Sequence, residues 1–180
     1  LYESVKNSIL EGQNAFHFVD ESMPPHLMKK FALKIVQEKL NISYWGNIRF
    51  ENTFDWDLIR LLKKSGFFAL TGGLEVPLER ILELIDKGNT FENIVKICYM
   101  FKKAGIMVHT YLMYGLPSQS EEEIIDALEL VRQLYLNKII DSAYWHRFTL
   151  TKSSRFYEEI KTGKYENISI IPPQKNIFIA

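Results

Sequence analysis

Short runs rich in β-branched and aromatic residues alternate along this chain with stretches whose apolar positions recur every three or four residues. The first kind predicts strands at 14–20 (NAFHFVD), 42–51 (ISYWGNIRFE), 67–75 (FFALTGGLE), 106–115 (IMVHTYLMYG) and 142–151 (SAYWHRFTLT). The second predicts helices near 2–11, 25–40, 55–65, 77–87, 90–104, 120–138 and 153–162. In EEIIDALELVRQLY the residues Ile124, Ile125, Leu128, Val131, Leu134 and Tyr135 are expected to form one buried helical face. No two strands lie close enough for a hairpin, so the strands should run parallel, joined by right-handed helical crossovers. An open doubly wound sheet and a complete or partial barrel both satisfy that pattern. Either places function at the carboxyl ends of the strands.

Glycine and proline punctuate the same units. Gly12, Gly66, Gly88, Gly105 and Gly163 each follow a helical run, where a C-terminal cap favours positive φ. Gly46, Gly72, Gly73 and Gly115 fall within or at the end of strands, where glycine often marks a bulge or a close approach. Pro24, Pro25, Pro77 and Pro117 follow strand ends, near helix starts.

Composition narrows the function classes. Twenty-two basic residues balance twenty-two acidic ones, which argues against a non-specific nucleic-acid or anionic-membrane binder. No apolar run reaches the ~20 residues of a membrane span, and no signal-peptide pattern is present. Cytoplasmic residence is the expectation. The single cysteine, Cys98, excludes an internal disulfide and any thiolate-only metal cluster held by this chain alone. The chain opens on Leu1 inside an amphipathic pattern and closes on the apolar NIFIA, so it reads as part of a longer polypeptide.

The strand ends gather the candidate chemistry: Asp20 and Glu21, Arg49 and Glu51, Gly72, Gly73 and Glu75, Gly115 to Pro117, and Arg147 to Thr151. Carboxylates there can accept from hydroxyl or ammonium groups, and an arginine can clamp a carboxylate. Glycines let a flat ring or a ribose approach the backbone. The set suits a zwitterionic, ribose-bearing small molecule better than a phosphate, since neither GxGxxG nor GxxxxGK[ST] occurs. Singly, most of these residues have plainer explanations. Asp20 and Glu21 could cap a helix, Arg49 and Glu51 could pair on one strand face, and GLPSQSEEE fits a capping box. His17, His26, His109 and His146 lack metal-ligand spacing, and Cys98 reads as a buried apolar residue.

The order of the motifs changes this balance. FVDES, WGNIRFENTFDWDLIRLLKKSGF, TGGLEVPLERILELIDKGNTFENI and AGIMVHTYLMYGLPSQSEEEI follow one another as in the radical S-adenosylmethionine superfamily, which the chain resembles over about residues 1–160. It is most similar to the branch often fused to a cobalamin-binding domain. The resemblance implies an α/β fold, a partial (β/α)6 TIM-like barrel truncated to about five parallel βα units, strands two to six, at 1–163. Residues 164–180 would begin a C-terminal extension or linker.

It also implies an enzyme whose [4Fe–4S] cluster cleaves S-adenosylmethionine to a 5′-deoxyadenosyl radical, with a cobalamin-using methyl transfer as a variant. The CxxxCxxC loop holding that cluster is not in this chain, so the cluster would belong to the full-length protein only. The missing N-terminal segment is then a partner, and the isolated chain is expected to be inactive. By the same resemblance, Asp20 and Glu21 meet the methionyl amino group, and Arg49 and Glu51 lie on the third strand near substrate or carboxylate. Glu75 bonds the ribose. Met113, Gly115, Leu116 and Pro117 pack on adenine, bordered by Arg147 and Phe148. Three positions depart from the family pattern: Val76, Tyr111 and Ser118 stand where a small residue, a glycine and a glutamate are usual.

Other readings remain open at this point. One is an oxygen-independent coproporphyrinogen oxidase-like protein, disfavoured by Glu75 where that group has glutamine. Another is a degenerate barrel acting as a binding or scaffold module. A third is an aldolase-type barrel, for which Lys152 is the sole lysine near a strand end. The small-molecule substrate is not legible, and the exposed edge of the first strand should favour self-association.

Overall fold

The computed structural model describes residues 1–85, 88–165 and 168–170. Five strands, β1 (Ala15–Phe18), β2 (Ser43–Ile48), β3 (Phe67–Glu75), β4 (Met107–Tyr114) and β5 (Ser142–Arg147), alternate with seven helices. The helices are α1 (Tyr2–Leu10), α2 (Pro25–Gln37), α3 (Trp56–Lys64), α4 (Glu79–Leu84), α5 (Phe91–Lys103), α6 (Glu121–Leu136) and α7 (Arg155–Lys161). The strands form one sheet in the order β1-β2-β3-β4-β5, and every pair is parallel.

That order decides between the two architectures. A doubly wound sheet reverses its strand order at a switch point and carries helices on both faces. Here the order follows the sequence without reversal. Right-handed crossovers then deliver the connecting helices, α2 to α6, to the same face, and the sheet is the wall of a partial barrel.

Alternation within each strand follows from this one-sided cover. Tyr44, Ile48, Leu70, Leu74, Val108 and Leu112 are buried and join the core with Ile59, Leu62, Ile97 and Phe101 from α3 and α5. The intervening residues face the other way. Between β3 and β4 the register slips between Gly73 and Glu75, a bulge at the carboxyl end of the central strand.

Helix starts are fixed by local chemistry. Asp55 accepts from the Leu58 amide at 2.7 Å, Thr90 from Asn93 at 3.2 Å, and Ser154 from Tyr157 at 3.1 Å. At α6 the Ser120 hydroxyl accepts from the Glu123 amide while Glu123 accepts from the Ser120 amide, a complete capping box. Ser120→Ala should destabilise the fold by about 1 kcal/mol in urea denaturation; an unchanged midpoint would show that the box is redundant.

Two expectations need correction. The buried face of α6 is Ala127, Val131 and Leu134, whereas Ile125 is 64% exposed and Leu128 50%. Tyr135 is exposed as well. Ala127, Val131 and Leu134, spaced i, i+4, i+7, form the stripe that the sheet covers, and Ile125 and Leu128 fall outside it. Second, Arg49 and Glu51 lie beyond β2, which ends at Ile48, and Glu51 opens a turn closed by Phe54 N–H to Glu51 O. Of the segment 164–180 expected to begin an extension, residues 166, 167 and 171–180 lie outside the described residues, as do 86 and 87 of the helix expected at 77–87. No helix among the described residues is long and apolar enough to cross a membrane.

Candidate functional site

The carboxyl ends of β1, β2 and β3 open onto a cleft of about 380 Å³. Glu21, Arg49, Glu51, Gly73, Glu75 and Tyr111 are among its lining residues. Five of the sequence-nominated residues, Glu21, Arg49, Glu51, Gly73 and Glu75, therefore meet in one place, although they come from three different βα units. Asp20 is in the same loop as Glu21 but lines neither this cleft nor its neighbour. Its carbonyl accepts from Asn47 Nδ2 at 3.0 Å, and the Asn47 carbonyl accepts from the Met23 amide at 2.9 Å. Asn47 thus stitches the 20–23 loop to the end of β2.

Glu75 is the last residue of β3 and adopts φ +64°, a left-handed conformation that costs a non-glycine residue energy. Its carboxylate lies over Gly73, where an added Cβ would sit 2.4 Å from Oε1. The β-bulge and the positive φ together re-aim this carboxylate from the sheet into the cleft. Asn89, which also lines the cleft, donates to the Phe50 carbonyl and accepts from Asn93 at 2.7 Å.

Met113, Leu116, Pro117 and Phe148 line a second, more apolar cavity of about 570 Å³, completed by Phe156 and Tyr165. The expected site is thus divided into a charged cleft and an apolar cavity at neighbouring strand ends. Glu159 accepts from Arg155 Nε at 2.7 Å and forms an ion pair with Lys164 at 2.9 Å beside this cavity. These cations, with Tyr165, hold the Glu159 carboxyl down to about 2.

Gly115 and Arg147 line neither cavity. Gly115 adopts φ +75°, and a Cβ there would meet only Arg147 Cγ, at 4.0 Å. The turn itself therefore calls for glycine, and space remains open beside it. The Gly115 amide is already engaged, donating to Gln119 Oε1 at 2.8 Å. Arg80 at the start of α4 braces the same turn. It forms a two-pronged pair with Glu123, each contact 2.6 Å, and donates to the Ser118 carbonyl at 2.9 Å.

Arg80, then the Ser120 amide, lowers the Glu123 carboxyl below its ordinary value near 4.5. A depressed carboxyl stabilises the fold above the unfolded value and loses that contribution as pH falls. Wild type should therefore lose more stability than Arg80→Met on acidification below about pH 4.5 in urea titrations. Parallel curves would remove this role from Arg80.

Asn47, Arg80 and Asn89 escape a reading of the sequence because each acts across the fold on a backbone carbonyl, whereas Gln119 acts locally on the Gly115 and Leu116 amides. Of the first three, only Arg80, next to the Pro77 helix start, carries a local hint. Cys98 is buried at 1% exposure, and burial pushes its thiol upward, away from thiolate chemistry. Among the described residues no three histidine, cysteine or carboxylate side chains cluster to hold a metal ion.

Several known proteins are similar to this chain. An uncharacterized methyltransferase of Pyrococcus horikoshii is 30% identical over 127 residues, 68% of this chain and 27% of its own length. The radical S-adenosylmethionine methyltransferase TsrM of Kitasatospora setae, solved with cobalamin and a [4Fe–4S] cluster, superposes with a TM-score of 0.66 at 17% identity. That match covers 82% of this chain and 29% of TsrM. Coproporphyrinogen III oxidase of Escherichia coli superposes with a TM-score of 0.61 at 15% identity, over 78% of this chain and 33% of the oxidase. The chain thus spans about a third or less of the proteins it matches. Residues 22–131 match the family profile of the Radical SAM superfamily, from the loop after β1 into α6, and the chain belongs to that superfamily.

Proposed function

We propose that this barrel binds S-adenosylmethionine across the carboxyl ends of its strands, in a cytoplasmic enzyme of which it forms most of the catalytic barrel. The observation that carries this reading is the meeting of Glu21, Arg49, Glu51 and Glu75 in one cleft, beside an apolar cavity lined by Met113, Leu116 and Phe148. The chemistry of the two cavities matches the two ends of that molecule. Glu75 accepts from the ribose hydroxyls; Glu21, with Asp20 in its loop, receives the methionyl ammonium; Arg49 clamps the carboxylate, with Glu51 beside it. Met113, Leu116, Pro117 and Phe148 cover the adenine, with Gly115 and Arg147 at its edge. S-adenosylmethionine supplies such enzymes with hydrogen abstraction or methyl donation; this chain's residues hold it and shield it from water.

A [4Fe–4S] cluster does not fit the residues present. Cys98 is the chain's single cysteine, and it is enclosed in the core with its thiol held protonated. The cluster loop is therefore assigned to a polypeptide segment outside residues 1–180, and these residues alone are assigned no activity. Cobalamin does not fit either, since cavities of about 380 and 570 Å³ accommodate drug-sized ligands rather than a corrin. A methyl-transferring variant would carry it on a separate domain.

The test is made on the full-length protein, reconstituted without oxygen and given dithionite and S-adenosylmethionine. Formation of 5′-deoxyadenosine or a methylated product, detected by chromatography, is the expected result. A folded protein that binds no iron and leaves S-adenosylmethionine intact would leave the barrel as a scaffold. The outer edge of β1 has no neighbouring strand among the described residues, and the 180-residue chain is accordingly proposed to self-associate at high concentration. Monodisperse monomer by light scattering would contradict this.

A further inference from the structure

The helix-free face of the sheet is the surface next to the charged cleft, and its residues describe what can lie there. Register places Trp45, Ala69 and Met107 in one row, Asn47, Thr71, His109 and Ser142 in the next, and Gly73, Tyr111 and Tyr144 in a third. His146 continues β5 on that face, paired with Met113. None of these residues is an aspartate, glutamate, lysine or arginine; formal charge begins only at the strand ends, with Arg49, Glu51 and Glu75. Along β3 the face carries only Ala69, Thr71 and Gly73, which form a low floor.

The side toward β5 is aromatic. The rings of Tyr111 and His146 lie 5.4 Å apart and those of Tyr144 and His146 4.6 Å apart, both tilted at 58°. His109 meets Tyr111 edge-on at 5.2 Å. This wall is accessible: Tyr111 is 43% exposed and Tyr144 58%, although both sit inside strands of a parallel sheet. Parallel strands ordinarily have both faces covered. The lower row differs, since His17 and Trp45 stack at 3.6 Å and 5°, each satisfying the other.

Polar groups on the wall are hydroxyls and imidazoles, with no carboxylate, ammonium or guanidinium among them. His109 Nδ1 is 2.7 Å from Ser142 Oγ, and burial lowers the histidine's affinity for protons. Among the described residues the hydroxyls of Tyr111 and Tyr144 and the ring nitrogens of His146 make no hydrogen bond, so they remain available to a ligand's edge. Tyr111 also lines the charged cleft, which makes wall and cleft continuous.

We propose that the substrate of this enzyme carries a planar conjugated ring, which packs against the wall of Tyr111, Tyr144 and His146 above the Gly73 floor. This rests on the function proposed above: a molecule that reacts with S-adenosylmethionine in the cleft must touch it, and this face is the adjoining surface. A phosphorylated or otherwise polyanionic group finds no cation on the face. A saturated ring would lose the offset and edge-to-face contacts that tilted aromatic walls provide.

The four histidines offer a direct readout, because a stacked ring shifts the proton resonances of its neighbours. The 180-residue chain would be titrated with indole and with octahydroindenol, a saturated bicycle of the same size that is likewise uncharged, following the histidine ring protons by NMR. Indole should shift His146 and His109, leave His26 on α2 unmoved, and bind at least about fivefold more tightly than octahydroindenol. Tyr144→Leu and Tyr111→Leu, each checked for native circular dichroism, should weaken indole by about five- to tenfold. Equal affinity for the two probes, shifts confined to other histidines, or no saturable shift with indole would each overturn the proposal, and these need no variant. S-adenosylhomocysteine is titrated by calorimetry on the same samples. If it binds while indole fails, the substrate class is wrong and the proposed function stands. If indole binds as expected and S-adenosylhomocysteine does not, the aromatic site stands and the S-adenosylmethionine reading fails.

Discussion

Gly66→Ala is expected to destabilise the protein by about 3–5 kcal/mol, a large part of the roughly 5–15 kcal/mol that typically separates folded from unfolded states. Two costs add at this position. Gly66 has φ +97°, where a side chain costs about 1–2 kcal/mol. An added Cβ would also stand 1.9 Å from the Ile42 carbonyl oxygen, a backbone atom that cannot step aside. The carbonyl of Gly66 accepts from the Tyr44 amide at 3.0 Å, so any shift propagates into the pairing of β2 with β3. Tyr44 is fully buried beside Ser65, its hydroxyl 2.7 Å from Ser65 Oγ, and burial pushes that phenol up to about 12. Gly12→Ala is the control, since Gly12 has φ +91° with no atom within 4 Å of the added carbon and should lose only about 1–2 kcal/mol. Urea denaturation of both variants separates the terms. Equal losses would mean that the collision relaxes freely.

Gly66 also shows how much of the fold was legible. A glycine after a helical run and before FFALTGGLE marks a helix cap and a strand start, and β3 spans the expected 67–75. What the sequence could not supply is the neighbour. Ile42 lies twenty-four positions earlier and meets Gly66 only because β2 and β3 are adjacent and parallel. The same limit applies at α6, where Ile125 and Leu128 are as apolar as the residues that pack; burial is decided by where the sheet lies. At the site, the residue types at the strand ends were readable because crossover topology forces them onto one rim. Their partition into a charged cleft and an apolar cavity was not. It depends on the bulge at Gly73–Glu75 and on the bracing of the 115–119 turn by Gln119 and Arg80. Arg49 and Glu51 reach the cleft from a loop rather than a strand, because pairing with β3 stops at Ile48.

Glu75 should show opposite effects on stability and binding. Holding glutamate at φ +64° costs about 1 kcal/mol or more, and backbone strain of this kind persists where function requires it. Glu75→Gly removes that strain, so the folded state should gain up to about 1 kcal/mol in urea denaturation. The same variant should weaken S-adenosylhomocysteine, measured by calorimetry, by about 10- to 100-fold, the weight of a charge-assisted hydrogen bond to a ribose hydroxyl. Glu75→Gln keeps the shape and the strain and removes only the charge. It should weaken binding by at least about fivefold while leaving stability within about 0.5 kcal/mol of wild type. The combination is informative because a glutamate retained for packing would behave differently: Glu75→Gly would then lose stability, and Glu75→Gln would leave ligand affinity intact. Intact ligand affinity in Glu75→Gln would remove Glu75 from the ribose and leave the bulge at the end of β3 as a purely structural device. A gain in stability accompanied by a loss of binding would show that the strained backbone is kept for the ligand.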